Sequence, residues 1–244
     1  MTEAHCAAAQ AALLRSLGWR GDRPLSLLDL VERDSLDLET SAWLVSRLSA
    51  GASFLVGAVP GSAGKTTTMR ALLDFAPARI PFALALPGQV AQLDGVPRCV
   101  ISHELSSHDV PGYLWGQDLR DYFALTGRGH LLAANLHADD LEATHAQICG
   151  QNGVPEAHFR AVGLLLFMRR RGREPHVQRF VSRVEWSDGQ APHRTVYTRQ
   201  DGLTAAAPRD QEGEAHCRAF LEEGLASSWR SVEEVRRRFV AWGA

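Results

Sequence analysis

Apolar residues along this chain follow two rhythms, and the change between them marks its organisation. Over residues 4–50 they recur at helical spacing, through Leu25, Leu28, Leu30 and Val31 and then Trp43, Leu44 and Leu48, with a break at the turn-rich Gly21-Asp22-Arg23-Pro24. At residue 52 this gives way to an unbroken apolar run, ASFLVGAV, followed by Pro60-Gly61-Ser62-Ala63-Gly64 and the helix-like KTTTMRALLDF. That order predicts a strand, a glycine-containing loop and a helix. Short apolar runs follow at 80–86, 99–102 and 131–136, while 112–126 and 139–148 suit amphipathic helices, the second capped by Asp139. Strands that are apolar throughout are buried on both faces, so their alternation with helices predicts an α/β domain with a largely parallel sheet. Later runs at 162–168, 177–186 and 194–198, with Ser187-Asp188-Gly189-Gln190 as a turn, predict extra antiparallel strands. Helical spacing returns over 209–244. The expected division is a helical N-terminal segment over 1–45, a core over 46–203 and a helical C-terminal segment over 204–244.

Composition narrows the function classes. The chain has 244 residues, 45% hydrophobic and 22% charged, the balance of a soluble globular protein with a sizeable core. Its 26 basic and 28 acidic residues leave a formal charge of -2, which gives no reason to expect nucleic acid or an anionic membrane as direct partner. No segment reaches the ~18 consecutive apolar residues of a membrane span. The N-terminal MTEAHCAAAQAALLRSLG lacks the basic region of a signal peptide and reads as an amphipathic helix of a cytoplasmic protein. Cys6, Cys99, Cys149 and Cys217 include no Cys-x-x-Cys pair and read as free thiols in a reducing compartment. Within the basic total, 25 residues are arginine and one is lysine, Lys65. A lone lysine points to a task for a compact ammonium that a broad guanidinium cannot perform.

Its context supplies that task. Val59-Pro60-Gly61-Ser62-Ala63-Gly64-Lys65-Thr66 matches the phosphate-loop pattern G-x-x-x-x-G-K-[ST] except at Val59, and it stands between a predicted strand and a predicted helix. Successive backbone N–H groups and a helix N-terminus make an anion cradle that large side chains would obstruct. The expected nucleotide contacts are Pro60, Gly61, Ser62, Ala63, Gly64, Lys65, Thr66 and Thr67, with Lys65 on the β- and γ-phosphates of ATP and the Thr66 hydroxyl on Mg²⁺. ATP hydrolysis also needs a carboxylate to orient water, usually at a neighbouring strand end. Glu104, closing the run 99–104, is the candidate; the alternative is a solvated acid after a strand. His137, after the run 131–136, is expected at the same sheet edge, where it would sense the γ-phosphate or serve the structure alone. A zinc site of His130, His137, His145 and Cys149 matches no common ligand spacing and is set aside.

With loop, acid and histidine in this order, the chain resembles the type II/type IV secretion ATPase family, the hexameric motors of secretion systems and pili, over about residues 26–198. GHLLAANLHADDLEA is similar to that family's histidine box, with His137 as the box histidine. FRAVGLLLFMRR and RFVSRVEW look like the strands that close its ATPase core. The chain departs from the pattern where His103-Glu104 is followed by Leu105-Ser106-Ser107-His108-Asp109, and where ALALPGQVAQL lacks the family's acidic box. The resemblance implies a P-loop NTPase (RecA-like) fold, a parallel sheet with extra antiparallel strands and flanking helices. It further implies a Mg²⁺-dependent ATPase whose catalytic residues are Glu104 and His137, working in a homohexameric ring. Arginines supplied in trans are implied as well, with Arg98, Arg120, Arg128 and Arg169 near element ends. The run 169–173 is expected to be a strand-end loop, solvated or facing phosphate or an acidic partner. Such a motor is cytoplasmic and meets the membrane through an inner-membrane secretion or pilus platform protein. The competing expectations are a nucleotide-binding regulatory or assembly protein with little or no turnover, and a small-substrate phosphotransferase.

Overall fold

Residues 22–93, 95–108, 110, 112–173 and 176–243 are described by a computed structural model of the chain. The N-terminal amphipathic helix and Cys6 lie outside them. Two helices, α1 (Leu27–Glu32) and α2 (Leu38–Ser49), lead into strand β1 (Phe54–Gly57) and helix α3 (Lys65–Leu73). There follow β2 (Phe82–Leu84), β3 (Cys99–Leu105), β4 (Tyr113–Leu114), α4 (Gly116–Ala124) and β5 (Leu131–Leu136). Helix α5 (Leu141–His145) continues as a π-helical turn (Ala146–Gln151), and α6 (Glu156–Arg160) precedes β6 (Leu164–Arg171). Strands β7 (Gln178–Trp186), β8 (Arg194–Thr198) and β9 (Gly202–Leu203) and helices α7 (Gln211–Ala226) and α8 (Val232–Trp242) complete the described chain.

One sheet carries all nine strands, in the order β2-β3-β5-β1-β6-β7-β8-β9 with β4 beside β3. The half from β2 to β6 is parallel, and β6 to β9 are antiparallel. This is the expected α/β class with extra antiparallel strands. The apolar runs explain it directly. Along β1, Phe54 and Val56 point into one core and Leu55 into the other; along β6, Leu164, Leu166 and Met168 alternate with Leu165 and Phe167 in the same way. Each such side chain gains roughly 1.5–3 kcal/mol on burial, so a strand apolar on both faces is stable only between two helical layers. One layer is α1, α2, α3, α7 and α8; the other contains α4 and α6. Helix α2 is tied to the C-terminal segment by Trp43 Nε1, which donates to the Pro208 carbonyl at 2.8 Å.

Several expectations change in detail. Tyr113–Leu114 leaves the amphipathic stretch to pair with the end of β3, opposite Glu104 and Leu105. Asp140, not Asp139, caps α5 by accepting from the Ala143 amide at 2.7 Å, while Asp139 contacts Arg169 at 3.5 Å. Strand β6 runs on through Arg171, so Arg169, Arg170 and Arg171 belong to a paired strand and not to a loop. The short β9 carries too few residues to show a periodicity. Among the described residues, no helix is long and apolar enough to cross a membrane.

Candidate functional site

The sheet order places the carboxyl ends of β3, β5 and β1 side by side. Strand β1 lies between β5 and β6, and the chain runs from β1 toward β2 on one side and reaches β6 on the other. Ligand crevices of parallel α/β sheets form at such reversals. Gly57 pairs with Leu136, so the loop leaving β1 starts beside the turn that carries His137. A Cβ on Gly57 would stand 2.3 Å from the Ala138 carbonyl oxygen and 3.1 Å from Phe167, so no larger residue fits there without shifting that turn. Gly64, at φ +101, takes the left-handed conformation that starts α3. The first amides of a helix have no intrahelical partner, so α3 directs Lys65, Thr66 and Thr67 N–H groups toward the loop.

A register shift positions the acid. Ser102 pairs with Ala134 and Leu105 with Leu136, three steps along β3 against two along β5. The extra residue is a bulge at His103-Glu104, a device that redirects a side chain at a sheet rim. The fully buried Asn135 holds the bulge by donating from Nδ2 to the His103 carbonyl at 3.0 Å, and the same group lies 3.3 Å from Thr66 Oγ1. Glu104 is therefore a buried residue inside β3 and not a solvated acid after a strand.

Lys65, Glu104 and His137 converge. Lys65 Nζ is 3.3 Å from Glu104 Oε1 and 3.3 Å from His137 Nδ1, and His137 Nε2 is 3.6 Å from Glu104 Oε1. An ammonium only donates, so His137 Nδ1 accepts and the imidazole proton sits on Nε2, facing the carboxylate. Burial holds His137 below the usual histidine range, opposed by Glu104 and reinforced by the positive charge of Lys65 and the neighbouring His108. The imidazole is therefore neutral at pH 7. Burial and the Glu104 charge together raise the Tyr113 phenol.

Thr66 Oγ1 and the buried Asn135 Oδ1, which has no hydrogen-bond partner, make a set of hard acceptors beside Glu104, whose Oε1 faces Lys65. Such a set suits Mg²⁺, which keeps most of its waters and takes few protein ligands. On the opposite flank, Arg179 Nε donates to the Ser62 carbonyl at 2.9 Å and Arg170 to Ser62 Oγ at 3.2 Å. Arg170 and Arg179 are directly paired across β6 and β7. Both guanidinium groups therefore stand beside the loop. The loop opens into a cleft of about 910 Å³ that runs from Glu104 and Tyr113 past Lys65 to Leu25, Leu30 and Arg33.

Gly61, Ser62, Gly64, Lys65, Thr66 and Thr67 thus line one cleft with Glu104 and His137, whereas Pro60 and the buried Ala63 do not line it. Asn135, Tyr113, Arg33 and Arg179 had no assigned role in the sequence, whereas Arg170 belongs to the run 169–173, for which a solvated position, a phosphate or an acidic partner was expected. Asn135 carried a signal, being the one polar residue in LLAANL; Arg33 and Arg179 carried none, since 25 arginines are spread along the chain. Of the arginines near element ends, Arg120 is engaged with the Asn152 carbonyl at 2.8 Å and with Gln117. His130 is buried, and its Nδ1 accepts from the Arg98 amide at 3.3 Å. The four-residue zinc set does not form. His145 and Cys149 instead cluster with Glu156.

No family model matches the sequence, and no curated protein does. Among solved structures, the VirB11 ATPase from the Brucella suis type IV secretion system, in complex with sulphate, is similar over 66% of this chain and 55% of its own length, at 16% identity and a TM-score of 0.46. The Yersinia pseudotuberculosis ATPase DotB is similar over 90% of this chain and 63% of its own, at 13% identity and a TM-score of 0.41. The chain spans between about half and two thirds of the lengths of these two ATPases.

Proposed function

We propose that this chain is an ATP-binding, Mg²⁺-dependent ATPase of secretion-motor type that turns hydrolysis into subunit movement within a homohexameric ring. The observation that carries the reading is the convergence of Lys65, Glu104 and His137 at the ends of three adjacent parallel strands. The amides of residues 61–67 and Lys65 bind the phosphates, Arg170 and Arg179 add positive charge beside the loop, and Leu25 and Leu30 offer an apolar wall for the base. Thr66 and Asn135 are the groups that would hold hydrated Mg²⁺, which when bound neutralises charge developing on the β- and γ-phosphate oxygens. Catalysis of phosphoryl transfer is mostly positioning and electrostatics. Glu104 accepts the proton of the attacking water once Lys65 turns from it to the γ-phosphate. His137, a neutral donor at Nε2, then has its Nδ1 freed and links the presence of phosphate to the turn leading into α5.

A second reading is binding without efficient turnover by a regulatory or assembly protein. Its support is the engagement of Glu104 by Lys65, which occupies the base. Phosphate release from ATP by the full chain decides between them. Hydrolysis that falls by at least ~100-fold in Lys65→Ala, with loss of ATP-induced thermal stabilisation, is the expected result. Equal turnover in Lys65→Ala would sink both readings. A shift from monomer to hexamer on adding ATP, measured by light scattering, tests the ring.

A further inference from the structure

A second group of metal-ligand side chains lies away from the phosphate loop. His145 ends α5, Cys149 lies in the π-helical turn and Glu156 opens α6, and one ligand atom of each falls within 4.8 Å of the others. His145 Nε2 and Glu156 Oε1 are 2.5 Å apart. We propose that His145, Cys149 and Glu156 form a binding site for a thiophilic transition-metal ion, zinc being the species that fits, separate from any Mg²⁺ carried by nucleotide.

The donor set selects the ion. Thiolate with imidazole favours zinc or cobalt over magnesium, which prefers oxygen, and three protein ligands leave a fourth tetrahedral position for water. Bond lengths of ~2.0–2.3 Å put tetrahedral donors roughly 3.3–3.7 Å apart, so modest rotamer changes close this cluster on an ion. The backbone beneath it is already held. Gln147 donates to the Leu105 carbonyl and Asn152 to the Gln147 carbonyl, both at 2.7 Å, and the Gly116 amide donates to Asn152 Oδ1 at 2.8 Å. The Gly153 amide donates to the Cys149 carbonyl at 3.0 Å. π-helical turns are rare and concentrate at functional sites.

His145 and Glu156 are exposed and border a cavity of about 800 Å³, which offers an entry path and room for the water ligand. Without metal, burial and the Glu156 carboxylate push the Cys149 thiol up to about 12, so it is neutral. Coordination breaks the S–H bond, forms the sulfur–metal bond and releases the proton to solvent, with no change of oxidation state. Because α5 begins at Leu141, shortly after His137, an ion that ties α5 to α6 braces the segment downstream of that histidine.

Cobalt(II) titration of the nucleotide-free full chain tests the site. The expected result is a thiolate-to-cobalt charge-transfer band that saturates at one equivalent and is displaced by zinc. Cys149→Ser abolishes the band, and His145→Ala or the surface change Glu156→Gln weakens cobalt affinity by roughly tenfold or more. Serine at Cys6, Cys99 and Cys217 together leaves it intact. Lys65→Ala also retains it, so failure of the nucleotide reading and failure of this one are distinguishable. No band, or a band that survives in folded Cys149→Ser, overturns the proposal.

Discussion

The Lys65–Glu104–His137 cluster and the His145–Cys149–Glu156 cluster each combine a histidine, a glutamate and one further ionisable group, yet they are built in opposite ways. The first is gathered from the start of α3, the bulge of β3 and the turn after β5, with Lys65 and His137 72 residues apart, and the Lys65 and Glu104 side chains are each only 9% exposed. The second is local: His145 and Glu156 are 11 residues apart and their side chains are 47% and 56% exposed. Withdrawing an ion pair from water costs several kcal/mol per ion, and its attraction repays that only in well-fixed geometry. A nine-stranded sheet supplies such geometry. A surface turn does not need to, because water screens its charges and a bound ion can complete the order.

The largest expected difference between the clusters lies at Glu104. Glu104→Gln removes the proposed proton acceptor while preserving shape, so ATP turnover should fall by about 100-fold or more with ATP binding retained, as read by phosphate release and equilibrium binding. Turnover within a few-fold of the parent would assign the buried acid to structure alone. A smaller effect is expected from the sheet that holds the first cluster in place. Gly57→Ala brings a methyl group against the Ala138 carbonyl, for which we expect about 1–3 kcal/mol of destabilisation in urea titration, together with reduced turnover as the His137 turn shifts. Unchanged stability would mean that this turn yields freely. The smallest effect concerns pH. His137 is held below the usual histidine range, so the unfolded chain binds its proton first on acidification. Its contribution to stability is complete above about pH 6.5 and is lost as pH falls toward the depressed value. The melting temperature of His137→Gln should therefore decline less than that of the parent below about pH 6.5. Parallel declines would show that Lys65, Glu104 and His108 together leave His137 without net influence.

Much of the fold was legible because its signals are local. The run FLVG, the glycine loop and KTTTMRALL appear as β1, loop and α3, since apolar runs, turn residues and helical spacing act over a few residues. The bulge at His103-Glu104 was hidden, because an extra residue in one strand is defined only against its partner. The pairing of Arg170 with Arg179 was hidden for the same reason. Cys149 and Glu156 were hidden differently: their distance depends on a π-helical turn, which periodicity reads as ordinary helix.

The sequence by itself determined the alternation of buried strands with helices and the placing of the single lysine in a glycine loop ahead of a helix. These follow from burial of side chains at short, regular spacings. Only the tertiary structure decided that this lysine meets Glu104 and His137, because the order β3-β5-β1 and its register arise from the packing of all the strands between two helical layers at once.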